Sequence, residues 1–181
     1  DALYDSSYDV SGSALNALYA IDKDTAYVLA KQLLKTKPEA ELQGAIWSVL
    51  GKQGNDDDVA LFAKEAPYLY GHKKFALVGG LYSYIENVKN DVSFDQAVSV
   101  MTRIIIDENI KSYRLALASY LFRLEKGYKQ KAEKENKKEA EHTKQRADLI
   151  KGYIQKVIDA EKDGDNLKRL KEMDKSDSTL Q

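Results

Sequence analysis

The two histidines are the side chains best suited to metal or acid–base chemistry, and the sequence holds no others. A zinc hydrolase needs histidines at helical spacing together with a carboxylate, as in His-Glu-x-x-His. His72 lies in a Tyr-Gly-His-Lys-Lys segment, and His142 lies 70 positions later in a highly charged stretch. Because neither has a second histidine within a helical turn, we expect no metal-dependent hydrolysis by this chain.

Motifs for nucleophilic catalysis and for phosphate binding are missing as well. A serine nucleophile needs a base and an oxyanion hole, yet no Gly-x-Ser-x-Gly occurs. The glycines at positions 79 and 80 are followed by Leu81-Tyr82 rather than by Lys-Ser, so they do not start a phosphate-binding loop. The aspartates at positions 56–58 lack the alternating ligands of a calcium loop, and helix capping explains them better. The sequence therefore predicts no catalytic residue, no cofactor site and no metal site.

Composition narrows the class of protein further. The 181 residues carry a net charge of −1, so no excess of basic residues favours nucleic acid as a partner. No apolar run approaches the roughly 20 residues needed to cross a bilayer, so we expect no membrane partner. An apolar fraction of 43% with only two prolines fits a folded helical protein. The chain has no cysteine, which excludes disulfides and thiolate metal sites.

One short pattern recurs four times along the chain: a small residue, a branched aliphatic, two spacers and two large apolar residues. The aliphatic positions, Leu15, Ile46, Leu81 and Leu117, are separated by 31, 35 and 36 residues. Such a period with i, i+3, i+4 apolar spacing is typical of stacked helix pairs. The sequence predicts an all-α fold, an α-α superhelix of the HEAT or armadillo type with about four antiparallel helix pairs. The unequal intervals argue against tetratricopeptide repeats, which keep a step of about 34 residues.

Local signals divide the chain into eight predicted helices. Residues 5–7 (Asp-Ser-Ser) offer an N-cap for the first helix, Asp22 restarts the chain and Gly54 ends the third helix. Ser93 is expected to cap the sixth helix, and the glycine pair at 79–80 indicates a close approach of another helix to the fifth. The predicted core face of the first helix comprises Val10, Ala14, Ala17, Leu18 and Ile21.

The composition changes at residues 125–146, which hold eight Lys/Arg and five Asp/Glu. We interpret this stretch as a solvated extension of the seventh helix, with i, i+4 pairs such as Glu133 with Lys137. Its mixed charges disfavour the alternative of an arm for nucleic acid or membranes. An eighth helix then folds back on the seventh. The predicted organisation is a single repeat domain at 1–170, with regular repeats at 1–124 and a charged helical hairpin at 125–162, followed by a polar frayed tail at 171–181.

Surface side chains are the remaining candidates for function, because helical solenoids bind along their concave face. The candidate substrate or partner contacts are Tyr82, Arg103, Tyr113 and Arg114. A structural role competes with recognition at each of them. Tyrosines on helices commonly pack, and the two arginines adjoin strong core runs, so they can instead anchor helix ends.

The first two helices carry a more specific likeness. It rests on Asp5-x-Ser7-Tyr8-x-Val10-x-x-x-Ala14-Leu15-x-Ala17-Leu18, followed by Asp22-x-x-x-Ala26-x-x-x-Ala30. The pattern resembles the HEAT-like C-terminal region of aminopeptidase N-type zinc metallopeptidases, especially the bacterial ones. The likeness extends over about the first 125 residues, including segments 42–54 and 113–124.

The resemblance implies an accessory role. In that family the zinc-binding His-Glu-x-x-His belongs to an upstream domain, so no catalytic residue is carried over to this chain. The implied function is to cap the active-site cleft of the upstream catalytic domain and to limit the access of peptide substrates. The chain begins at Asp1 rather than at methionine, from which we expect that it is cut from a longer protein. Its compartment, bacterial cytoplasm or periplasm, stays open. A free-standing HEAT- or tetratricopeptide-like scaffold for protein–protein interaction and a helical lid of a different enzyme are the alternatives.

Overall fold

The computed structural model describes Leu3 and residues 7–178, without the side chains of residue 40 and residues 176–178. Within these residues all the regular structure is helical, which confirms the predicted all-α class. Of the predicted first N-cap, Asp5 and Ser6 lie outside the described residues, and Ser7 occupies the N-cap position, where its side chain makes no capping hydrogen bond. The helices are α1 (Tyr8–Ile21), α2 (Lys23–Leu34), α3 (Ala40–Gln53), α4 (Val59–Glu65), α5 (Lys73–Asn87), α6 (Asp91–Ile106), α7 (Lys111–Ala132), α8 (Lys137–Ala160) and α9 (Gly164–Ser178).

The chain forms two compact units, Asp1–Ala97 and Val98–Gln181, and the boundary between them falls within α6. The sequence analysis expected one repeat domain up to residue 170. It also expected a frayed tail from residue 171, whereas α9 continues to Ser178. Residues 179–181 lie outside the described part. None of the described helices is both long and apolar enough to cross a membrane.

Alternate helices of the first unit lie side by side. Helix α3 packs against both α1 and α5, and α2 packs against α1 and α3. Glycines bring these helices close together: a Cβ atom at Gly80 of α5 would lie 2.7 Å from Cβ of Trp47 on α3. A Cβ atom at Gly12 of α1 would lie 2.9 Å from the backbone of Glu41 on α3. The close approach predicted from the glycine pair therefore occurs at Gly80, whereas Gly79 faces open space.

An aromatic cluster fills the core of the first unit. The ring of Phe62 lies 5.0 Å from that of Trp47 and 5.6 Å from that of Tyr84, centroid to centroid. The Tyr84 hydroxyl donates to the carbonyl oxygens of Asn55 (2.9 Å) and Asp56 (3.0 Å). Burial raises the pKa of Tyr84 to about 12, which keeps the phenol a neutral donor. The cluster thereby ties α3, α4 and α5 to the turn before α4.

The face that α1 buries differs from the predicted one. Its buried residues are Ser11, Gly12 and Leu15, whereas Val10 is 42% exposed and Ile21 is 86% exposed. The reason is Gly12, because the missing side chain lets α1 approach the backbone of α3 on that side. Apolar spacing alone had favoured the neighbouring stripe.

Helix caps agree with the sequence at two positions and differ at two. The Asp22 carboxylate accepts from the Thr25 backbone N–H at 3.0 Å, and Gly54 ends α3 in the left-handed region with φ of 63°. The cap of α6 is Asn90 rather than Ser93, since the Asn90 side chain accepts from the backbone N–H of Ser93 at 3.1 Å. Asp58 precedes α4 but makes no capping bond with its side chain.

The second unit is built on the hairpin of α7 and α8, as predicted, and α9 packs on both helices. The charged stretch is only partly solvated: the side chains of Tyr128 and Ala140 are buried, and so is Glu125, which forms an ion pair with Lys129 at 2.8 Å. Glu125 is therefore buried as one half of an ion pair, whereas the sequence predicted a solvated side chain.

Candidate functional site

The four candidate contact residues are divided between the two units. Tyr82 lies half-buried on α5 of the first unit. In the second unit, Arg103 is exposed on α6, and Tyr113 and Arg114 are half-buried neighbours near the start of α7. The contacts of Arg114 place it in a polar cluster at the junction of α8 and α9.

Arg114 holds that junction by a fork of hydrogen bonds. Its Nε donates to Glu161 Oε2 at 2.8 Å, and its Nη2 donates to Glu161 Oε1 at 3.0 Å. Its Nη1 donates to the carbonyl oxygen of Glu108 at 2.6 Å. The Glu161 side chain is only 1% exposed, so this is a buried bidentate pair. The geometry supports the anchoring role that the sequence analysis weighed against recognition.

Three more residues complete the cluster, which we call the junction cluster: Lys111, Arg114, Glu161, Asp163 and Asn166. The Asn166 side-chain amide donates to the Lys111 carbonyl oxygen at 2.9 Å and to Glu161 Oε2 at 3.3 Å. Asp163 accepts from the Asn166 backbone N–H at 3.0 Å, which caps α9, and its other oxygen pairs with Lys111. The cluster therefore joins the start of α7 to the end of α8 and the start of α9.

The protonation of the cluster follows from these contacts. Burial acts to raise the pKa of Glu161, but hydrogen bonds from the Asp163 N–H, Arg114 and Asn166 outweigh it and hold the pKa below its usual 4.5. The Lys111 ammonium and the Asn166 N–H lower the pKa of Asp163 below 3.8. Hydrogen bonding to Asp163 raises the pKa of Lys111 in turn. All three groups are therefore charged at neutral pH.

An open groove of about 560 Å³ adjoins the junction cluster between α7 and α9. Its volume lies in the range of small-molecule sites. The Ser119 hydroxyl in this groove donates to the Ala116 carbonyl oxygen of its own helix at 2.6 Å. Three cluster residues line it, together with residues of α7 and α9: Lys111, Asp163 and Asn166, then Ser112, Leu115, Ala116 and Ser119 of α7, and Asp165, Arg169 and Met173 of α9.

Asp58 forms the corresponding polar cluster of the first unit. Its carboxylate is 1% exposed and accepts from Lys31 Nζ at 2.9 Å and from the Tyr27 hydroxyl at 2.8 Å. The aspartates at positions 56–58 were predicted to cap a helix. The contact between Asp58 and Lys31, which are 27 positions apart, was not predicted. The i, i+4 spacing of Tyr27 and Lys31 on α2 was the available signal, since it places two donors on one face.

The candidates for metal or acid–base chemistry are the two histidines and the acidic residues. No three His, Asp or Glu side chains there are grouped so that they could hold a metal ion. His72 and His142 are exposed, on the first and second unit respectively. The two polar clusters pair their charges internally and so stabilise helix junctions.

Comparisons with known proteins add no relationship: no family, no curated protein and no solved structure matches this chain.

Proposed function

We propose that this chain is the non-catalytic C-terminal helical domain of a zinc aminopeptidase, where it caps the active-site cleft and limits the access of substrate. The zinc ion belongs to the upstream catalytic domain of the same polypeptide. That domain and the peptide substrate are then the partners of this chain. The mechanism is steric, so it needs no reactive group in these residues.

The motif that suggests this family has structural roles in α1 and α2. Leu15, Ala26 and Ala30 are fully buried between the helices. Asp22 closes α1 and caps α2 within a single residue, which makes the turn between the two helices very short. The residues of the motif therefore hold the first helix pair together. Stacked helix pairs of this kind would form the wall that caps the cleft.

The observation that carries the proposal is the close packing of α3 on α5 across glycine. Gly80 has no room for a methyl group against Trp47. A Cβ atom at Gly51 of α3 would likewise overlap the carbonyl oxygen of Gly80. A steric cap must resist displacement by the substrate. Helices in such contact can slide only by breaking many packing contacts at once, so this layer suits a rigid wall.

The decisive experiment uses the complete gene product. We expect His-Glu-x-x-His and a downstream glutamate in the sequence preceding Asp1. Removal of residues 1–181 from that protein should raise the rate of cleavage of long peptides relative to that of a single aminoacyl amide. A full-length protein without the zinc signature, or an unchanged ratio of the two rates in a folded truncation, would overturn the proposal.

The second candidate function is a scaffold that binds another protein. It is favoured by Tyr68 and Tyr70, which are 74% and 70% exposed in the turn before α5 while Leu69 between them is buried. Exposed tyrosines held by a buried neighbour are common in protein interfaces. If the zinc signature is missing from the gene product, this scaffold becomes the leading candidate.

A further inference from the structure

The helices of the second unit differ sharply in how much they bury. Eight residues of α7 and seven of α8 are buried. On α9, among the residues with described side chains, only Asn166 and Leu170 are buried, although the helix runs from Gly164 to Ser178. Leu167 and Met173 are half-buried. The apolar contact of α9 with the hairpin is therefore centred on one leucine.

One buried leucine does not offset the loss of conformational entropy on ordering a helix of this length. Short isolated helices are marginal in water, so α9 depends on its contacts with the hairpin. Polar contacts hold its start, where Asn166 and Asp163 bind Lys111 in the first turn of α7. Arg114 holds Glu161 just before α9 begins.

Past its first turn, α9 stands off α7. The groove of about 560 Å³ opens between them beside Ala116, Ser119, Arg169 and Met173. The surface of α7 in this groove carries small side chains, which leave room that α9 does not fill. Helix α9 thus borders an open groove and, among its described side chains past the first turn, buries only Leu170.

We propose that α9 is a releasable strap, which detaches from the α7–α8 hairpin as one unit while the hairpin stays folded. The junction cluster is its latch. Detachment uncovers the α7 surface around Leu115 and the pocket of Leu170, and closure covers them again. Elements with few buried contacts open at lower free energy than the rest of a fold, and moving segments are drawn from them. The strap goes beyond the proposed function and holds for a capping domain and a scaffold alike.

Native-state hydrogen exchange on the 181-residue chain tests the strap directly. We expect amides in the middle of α9 to exchange at least about 100 times faster than the buried amides of α7 and α8. Glu161→Gln should speed exchange in α9 about tenfold more, because a charged bidentate pair becomes a neutral hydrogen bond, and α9 should still exchange faster than the hairpin, whose amides report the stability of the whole unit. The matched control is Glu172→Gln, which removes the same charge from an exposed position of α9. Equal exchange rates in α9 and the hairpin of the wild-type chain, or α9 amides whose exchange Glu161→Gln leaves unchanged, would overturn the strap.

Thiol labelling gives a second measurement, since the natural chain has no cysteine to interfere. Leu170→Cys reports on the strap and Ala147→Cys, at a buried position of α8, reports on the hairpin. The Leu170→Cys thiol should react with a disulfide reagent faster than the Ala147→Cys thiol, and adding Glu161→Gln should accelerate the labelling of Leu170→Cys while it stays the faster of the two. Identical labelling rates at the two positions, with and without Glu161→Gln, would show that the unit opens only as a whole.

Discussion

Arg114 and Glu161 lie 47 positions apart and meet in a buried fork, with donor–acceptor distances of 2.8 Å and 3.0 Å. The pair fixes the end of α8 against the start of α7. A guanidinium is the one side chain that can bind both carboxylate oxygens and still reach the Glu108 carbonyl. The junction of three helices therefore depends on the identity of this residue as well as on its charge.

Replacing Arg114 by alanine should lower the free energy of unfolding of the second unit by about 3–5 kcal/mol, because it leaves the Glu161 carboxylate buried and unpaired. Arg114→Lys should recover part of this loss, since a lysine keeps the charge but not the fork. Urea unfolding followed by circular dichroism measures both changes. Arg103→Ala is the control: this arginine is exposed, so we expect a change within about 0.5 kcal/mol. Equal effects at positions 103 and 114 would contradict the anchoring role.

Acid should weaken the junction cluster. The folded-state pKa values of Glu161 and Asp163 are lowered, so their contribution to stability is complete above their usual values of 4.5 and 3.8. It is lost as the pH falls below these values and through the folded-state pKa. We expect the urea midpoint of the second unit to fall between pH 6 and pH 3. Glu161→Gln cannot titrate, so its midpoint should start lower and depend less on pH; the same pH dependence as in the wild type would exclude Glu161 as a source.

The adjacent glycines of α5 offer a matched test of helix packing. Gly80→Ala should destabilise the first unit by about 1–3 kcal/mol, because the added methyl group would meet Trp47 at 2.7 Å. Gly79→Ala faces open space and should stabilise α5 by up to about 1 kcal/mol through helix propensity. The midpoint temperature of thermal unfolding, measured for both variants, tests this. A shift of the midpoint in the same direction in both variants would contradict the close contact of α3 with α5.

The Asp58 cluster predicts a further difference between neighbouring residues. Asp58→Asn should cost about 1–3 kcal/mol, because Lys31 and Tyr27 both donate to this buried carboxylate. Asp57→Asn changes an exposed carboxylate and should be nearly neutral. Denaturant midpoints of the two variants give the comparison. If calcium raised the midpoint of the wild type but not of Asp58→Asn, these aspartates would be a cation site instead.

The isolated chain should release no chromogenic amine from an aminoacyl amide, with or without added zinc. The physical reason is that its described His, Asp and Glu residues form no metal-binding group. An absorbance assay on a purified sample measures this. Zinc-dependent turnover that survives repeated purification would refute the non-catalytic role.

Features that depend on neighbouring residues could be predicted from the sequence. Asp22 caps α2 because its carboxylate reaches an N–H three residues away, and Gly54 ends α3 because glycine enters the left-handed region without strain. The repeating apolar spacing predicted the all-α fold class, whereas α9, which has few apolar residues, was not among the eight predicted helices. Such features depend on residues within one or two turns of each other, so they can be inferred without knowledge of the rest of the chain.

Contacts between distant residues were decided only by the tertiary structure. The buried face of α1 depends on where Gly12 meets α3, and apolar spacing alone chose the wrong stripe. Asp58 pairs with Lys31 instead of capping a helix, and Arg114 pairs with Glu161 across 47 positions. A polar side chain in a sequence can satisfy its hydrogen bonds locally or at a distance. Packing determines which partners come within reach, and so the sequence by itself determined the helices while the tertiary structure decided how they are joined.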